Sequence, residues 1–144
     1  MTKQQAENRA RLFERLANMG FSYEESEALV RIERTLQRWG ELECGDGNEF
    51  GSWAIERDEN AGKPYMVRHH YRHGSGADTV RRSPIPDREK GALKRLSAIM
   101  AGKPDLQAYH QTDCRGCNLY IVRTEDLKGR DIGSCYTVGL AVCY

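Results

Sequence analysis

What this chain lacks already narrows its function. No apolar run approaches the roughly 20 residues that a helix needs to cross a bilayer. The polar start, Met1-Thr2-Lys3-Gln4-Gln5, has nothing of a signal peptide's apolar segment. Both absences lead to the expectation of a protein of the reducing cytoplasm. No G-x-S-x-G, P-loop, H-E-x-x-H or dinucleotide fingerprint occurs, so no catalytic residue and no cofactor is assigned. Repeats and low-complexity segments are missing too. Cysteine occurs five times, at Cys44, Cys114, Cys117, Cys135 and Cys143. An odd number in a reducing compartment reads as free thiols rather than a disulfide framework.

What is present describes a folded chain with a wet surface. Apolar residues make up 39% and charged residues 30% of 144 positions, and apolar positions recur periodically almost from end to end. That length suits one domain, residues 1–144, able to bury a core without metal or disulfides. The net charge of +1 hides segregation. Residues 41–59 carry seven acids against Arg57, a balance of −6, while residues 63–103 carry ten bases against three acids, a balance of +7, with His69, His70 and His73 in addition. The expectation is a domain whose opposite ends have opposite sign.

The first 40 residues predict a helical hairpin. Thr2 with Gln5 fits a capping box, followed by a stripe of Ala10, Leu12, Phe13, Leu16 and Ala17 up to Gly20. Ser22 with Glu25 fits a second capping box, opening a helix with the stripe Ala28, Leu29, Ile32, Leu36 and Trp39, which Gly40 should stop. The linking segment Leu16-Ala17-Asn18-Met19-Gly20-Phe21-Ser22 resembles the Met-Gly-Phe turn of a ubiquitin-associated domain, which implies ubiquitin binding. Such a domain needs a compact third helix, and none follows Trp39. The simpler reading is that Gly20 allows the turn while Met19 and Phe21 fill the core beneath it.

Residues 40–49 read as an acidic, glycine-rich loop without calcium-loop spacing. Strands are expected at 50–57 and 64–72. In the second, Met66, Arg68, His70 and Arg72 alternate with Tyr65, Val67, His69 and Tyr71. Pro84 and Pro86 lead into a helix over 87–100 that buries Ala92, Leu93, Leu96, Ile99 and Met100, and Gly102 and Pro104 end it. A hairpin follows at 106–111 and 118–123, then a polar loop at 124–134. A last strand over 135–143 should put Tyr136, Val138, Leu140 and Val142 on one face. The order ααββαβββ has no βαβ alternation and predicts an α+β fold: a helical hairpin over 1–40, then an antiparallel sheet of about five strands over 50–144 with one further helix.

Three clusters could carry function. Arg68, His70 and Arg72 on one strand, with His73, Arg81 and Arg82 after them and Lys90, Lys94 and Arg95 on the next helix, form a basic face suited to phosphate backbones or acidic proteins. Arg115 projects from the tip of the 106–123 hairpin, where Asp113 and Gly116 suit the turn itself. Cys114 and Cys117 form a CxxC half-site to which His110, Cys135 or Cys143 could contribute. A zinc site needs a second close pair, however, so no metal ligand is assigned. His69, His70 and His110 with nearby arginines are also the residue types of a metal-independent ribonuclease.

The segment Tyr109-His110-Gln111-Thr112-Asp113-Cys114-Arg115-Gly116-Cys117-Asn118-Leu119-Tyr120-Ile121-Val122 resembles a turn-and-strand signature of small accessory proteins of tailed phages and prophages. In that family an Asp-x-Arg-Gly-Cys turn precedes a Leu-Tyr strand, and proline commonly stands where Cys114 is here. Residues 39–47 and 53–58 are similar to further blocks of the family. The resemblance implies a small non-enzymatic protein acting in the cytoplasm of a host bacterium. Its implied partner is a host protein or ribonucleoprotein, with anti-CRISPR and other anti-defence inhibitors a prominent class; no membrane partner is implied. Binding would use Arg68, His70, Arg72, His73, Arg81, Arg82 and Arg115, with residues 41–59 as an acidic alternative. The second reading is a small nucleic-acid-binding protein using the 63–103 face, and the third a ribonuclease-like enzyme.

Overall fold

Two capping boxes start the two long N-terminal helices. In the computed structural model, which describes residues 1–45, 49–57, 64–72, 87–113, 116–130 and 132–144, helix α1 spans Lys3–Asn18 and helix α2 spans Tyr23–Gly45. The Thr2 hydroxyl accepts from the Gln5 amide at 3.1 Å, and the Gln5 side chain accepts from the Thr2 amide at 2.9 Å. Ser22 and Glu25 make the same reciprocal pair at 3.1 and 2.9 Å. Each pair satisfies amides that a helix start leaves without partners.

The turn between the helices is a Schellman motif. The Phe21 amide donates to the Leu16 carbonyl and the Gly20 amide to that of Ala17, with Gly20 at φ +97°. Only glycine adopts that angle without strain. Lys103, just past the third helix, closes over the turn. Its ammonium donates to the Gly20 carbonyl at 2.7 Å, pairs with Glu25 at 3.0 Å and lies 5.2 Å from the centre of the Phe21 ring. From the other side, Arg123 donates to the Asn18 carbonyl at 3.2 Å. Two cations thus hold the carbonyl end of α1, where the helix dipole favours positive charge.

Strands β1 (Glu49–Arg57) and β2 (Pro64–Arg72), helix α3 (Asp87–Ala101), and strands β3 (Leu106–Asp113) and β4 (Gly116–Arg123) follow in the expected order. The antiparallel sheet runs β2-β1-β3-β4, and a short β5 (Leu140–Ala141) lies beside β4. Helix α2 packs against α1, α3, β1, β3 and β4. Its buried residues Leu29, Val30, Ile32 and Leu36 meet Leu93, Leu96 and Met100 of α3 and Leu106, Ala108, Leu119 and Ile121 of the sheet in one core. The other face of β3–β4 carries a second, smaller cluster of Tyr109, Val122, Leu127, Ile132 and Cys135. The fold is α+β.

Five expectations change. Helix α2 does not stop at Gly40 but continues to Gly45; an interior glycine costs only about 1 kcal/mol, and Glu41, Leu42 and Glu43 are good helix formers. Ala10 and Ala17 are exposed, so α1 enters the core through Leu12 and Leu16, with Phe13 half-buried. The 135–143 strand is mostly absent. Cys135–Val138 form a helical turn, α5, and only Leu140–Ala141 pair with β4. Tyr136 and Val138 are exposed, whereas Leu140 and Val142 are buried. The 124–134 loop likewise contains a short helix, α4 (Thr124–Leu127), and a 3-10 turn, Ile132–Ser134. Burial of Leu127, Ile132 and Cys135 on the second sheet face outweighs the local strand preference of Tyr136, Thr137 and Val138. Lastly, the acidic and basic segments do not lie at opposite ends. β1 pairs with β2 along its whole length, opposing Glu49 to Arg72.

Gly139 locks this tail. Its φ is an ordinary −88°, but an added Cβ would lie 2.7 Å from the Cys135 carbonyl oxygen and 3.1 Å from that of Ile121. Both are backbone atoms and cannot swing aside. Gly139→Ala should therefore destabilise the protein by about 1–3 kcal/mol. Gly91→Ala, at an exposed helical site with open space around it, should stabilise by about 0.5–1 kcal/mol. Chemical denaturation of both variants checks the contrast. Equal effects would mean that the close approach at Gly139 does not constrain the fold.

Candidate functional site

Strand β2 is the outer strand of the sheet, so its basic residues stand at an edge. Arg68, His70 and Arg72 oppose Trp53, Gly51 and Glu49 of β1. Trp53 in turn opposes His110 of β3, which opposes Leu119 of β4. Arg68 therefore belongs to a register row that runs into the helix-covered side of the sheet. Side chains of residues 39–89 and 112–117 are not described, and His73, Arg81, Arg82, Cys114 and Arg115 lie wholly outside the described residues. Helix α3 packs against β2, and its Lys90, Lys94 and Arg95 are exposed. The fold thus brings three outward bases of α3 beside the basic edge strand.

By register, His70 falls on the sheet face that holds His110, and His69 on the opposite one. His110 is completely buried. Desolvation pushes its pKa down to about 3, because the core disfavours the imidazolium. It is a neutral core residue at physiological pH and is not available as an acid or base to an external substrate.

Cys135 sits in the cluster under the second sheet face, and His110 alternates onto the first, so the two cannot share an ion. Burial raises the Cys135 thiol to about 12, which makes it inert. Cys143 is exposed, and its thiol is also raised, by partial burial and by the charge of Glu33. Among the described residues, no group of three or more potential ligands is placed to hold a metal.

The Met-Gly-Phe turn is a structural element. Phe21 is buried, Met19 packs partly against the core and Lys103 covers the turn. Burial alone would raise the Glu25 carboxyl, but the Ser22 amide and the Lys103 ammonium outweigh it and hold the group below the usual carboxylate range.

Two features escaped the sequence reading. A groove of about 270 Å³ between the end of α1 and the β4–β5 edge is lined by Arg15, Asn18, Arg123, Asp126 and Leu140. The second is an arginine–aromatic cluster. The Arg9 guanidinium carbon lies 4.1 Å from the centre of the Phe13 ring and 5.8 Å from that of Tyr23, and the two rings stand 5.2 Å apart, tilted by 59°. Arg34 donates to the Tyr144 hydroxyl at 2.8 Å and lies 5.2 Å from that ring's centre. The four-residue spacing of Arg9 and Phe13 was a legible hint; the approach of Tyr144 to Arg34, 110 positions away, was not.

No protein-family model, curated protein or solved structure matches this chain.

Burial of His110 carries a pH signature. With a folded value of about 3 against 6.5 when exposed, the unfolded chain binds more protons between those limits, so stability falls as pH drops from about 6.5 towards 3 and is fully present above that window. At about 1.4 kcal/mol per unit the full effect is on the order of 4–5 kcal/mol. His110→Gln should flatten the pH dependence of urea unfolding above pH 4.5. An unchanged profile would show that His110 titrates normally.

Proposed function

We propose that this chain is a phage-type accessory protein that binds a host macromolecule in the bacterial cytoplasm and performs no catalytic step. A host defence complex of the CRISPR type is the proposed target class, for which the support is the resemblance of residues 109–122, 39–47 and 53–58 to phage accessory proteins. The observation that carries the binding reading is the exposed Lys90, Lys94 and Arg95 of α3 beside the outer strand that bears Arg68, His70 and Arg72. Such a zone attracts acidic protein surfaces and steers their approach. His73, Arg81, Arg82 and Arg115 belong to the same proposed surface by sequence.

A second reading, direct nucleic-acid binding through this zone, uses the same charges and differs in its salt dependence. The ribonuclease reading loses support with the burial of His110, which leaves His69 and His70 on opposite faces of one strand.

A binder saturates at a fixed ratio to its target, whereas an enzyme turns over. Titration against an isolated defence complex should show inhibition complete near one copy per target site. Changing Lys90, Lys94 and Arg95 together to glutamate should weaken it at least tenfold with little loss of stability, since exposed sites usually cost within about 0.5 kcal/mol each. Inhibition unaffected by the triple change would move the interface elsewhere. Multiple turnovers of RNA, abolished by His69→Ala or His70→Ala, would overturn the binding reading in favour of the enzyme.

A further inference from the structure

Two adjoining hollows, of about 270 and 250 Å³, form one groove between α1 and the β5 edge of the sheet, and they share Arg15 and Leu140. Arg123 lines the first and Arg11 the second. Arg11 and Arg15 stand one turn apart on the same face of α1, a spacing at which like charges repel. Arg123 is fixed to that helix by its bond to the Asn18 carbonyl at 3.2 Å, and Asn18 follows Arg15 by three residues on the same face. Among the described residues no carboxylate pairs with any of the three arginines, although Glu14 and Asp126 border the groove. An anion laid along the groove relieves the repulsion, and the two acids restrict where its charges can stand.

The backbone offers a second point of attachment. β5 is the last strand of the described sheet. The Val142 amide donates to the Leu119 carbonyl at 2.8 Å, and Ala141 opposes Tyr120 in the register. Backbone groups alternate in direction along a strand, so the N–H and C=O of Ala141 point away from β4, to the outer edge. They have no partner there among the described residues. Ala141 itself lines the groove, which has Met19, Val138 and Leu140 as further apolar lining.

These features select an extended peptide rather than a nucleic acid. No aromatic ring lines either hollow among the described residues, so bases would find nothing to stack on. Side chains of an extended peptide alternate between two sides, which suits a groove with guanidiniums on one flank and apolar side chains beside them. Guanidinium forks match carboxylates. We propose that the α1–β5 groove binds an extended acidic segment of a partner protein, which pairs its backbone with Ala141 and sets carboxylates on Arg11, Arg15 and Arg123. The groove lies at the opposite edge of the sheet from β2, so it does not depend on the α3–β2 zone.

The test is fluorescence anisotropy of the full chain with a labelled peptide of about eight residues that alternates glutamate with leucine or alanine. Arg11→Gln with Arg15→Gln should weaken binding at least tenfold, and replacement of the peptide's glutamates by glutamine should do the same. Both arginines are exposed, so melting curves of that variant should match the parent. N-methylation of the odd or of the even peptide amides should weaken binding unequally, because only one set faces the strand. The Lys90, Lys94 and Arg95 triple variant should bind the peptide normally, which separates this groove from the surface proposed above. No peptide binding up to about 1 mM at low salt would overturn the proposal, as would binding that survives the double arginine change. Equal effects of the two N-methylation patterns would overturn the strand pairing. Tighter binding of labelled oligo-dT, lost in the double arginine variant, would overturn the peptide in favour of a nucleic acid.

Discussion

The burial of one stripe of α2 against the β3–β4 hairpin is the contact on which the other elements depend. Leu29, Ile32 and Leu36 meet Leu119 and Ile121, and all five are 2% exposed or less. Truncating any one such residue typically removes about 2–5 kcal/mol, a large part of the about 5–15 kcal/mol that holds a domain together. α3 adds Leu93, Leu96 and Met100 to the same core. α1 is attached more thinly, through Leu12, Leu16 and the cation-clasped turn. The hairpin is thus anchored at its turn and along α2, with Phe13 packed partly against the core.

What the sequence made legible was local. Each capping box is a four-residue pattern, and both form. The α3 stripe and the paired strands around Asp113–Gly116 are read from periodicity and turn chemistry, and both stand in the structure, with Ile99 half-buried. The tail defeated that approach. Tyr136, Val138, Leu140 and Val142 have the spacing of a strand, but the first two are exposed because Cys135 is drawn under the sheet beside Leu127 and Ile132. That competition is tertiary, and no window of a dozen residues contains it.

The candidate site divides in the same way. Charge content was visible as two blocks of opposite sign, but their placement was not, since a hairpin lays β1 beside β2 and brings the blocks together. Residue type misled where environment decides chemistry. His110 and Cys135 suggested acid–base work or metal ligation, yet desolvation turns one into a neutral ring and the other into a protonated thiol. Arg9 and Arg34 attracted no attention in the sequence because their distinguishing feature is what surrounds them.

The crowding at Gly139 has a consequence for how the tail finds its place. β5 contributes only two residues to the sheet, too few hydrogen bonds to choose among neighbouring registers by themselves. A slip by one residue would bring the side chain of Val138 or Leu140 into a gap that a single methyl already overfills. Steric exclusion thus does for this short strand what a long ladder of hydrogen bonds does for β1 and β2. It also ties the alignment of the last residues to the prior formation of β4, whose Ile121 carbonyl is one wall of that gap.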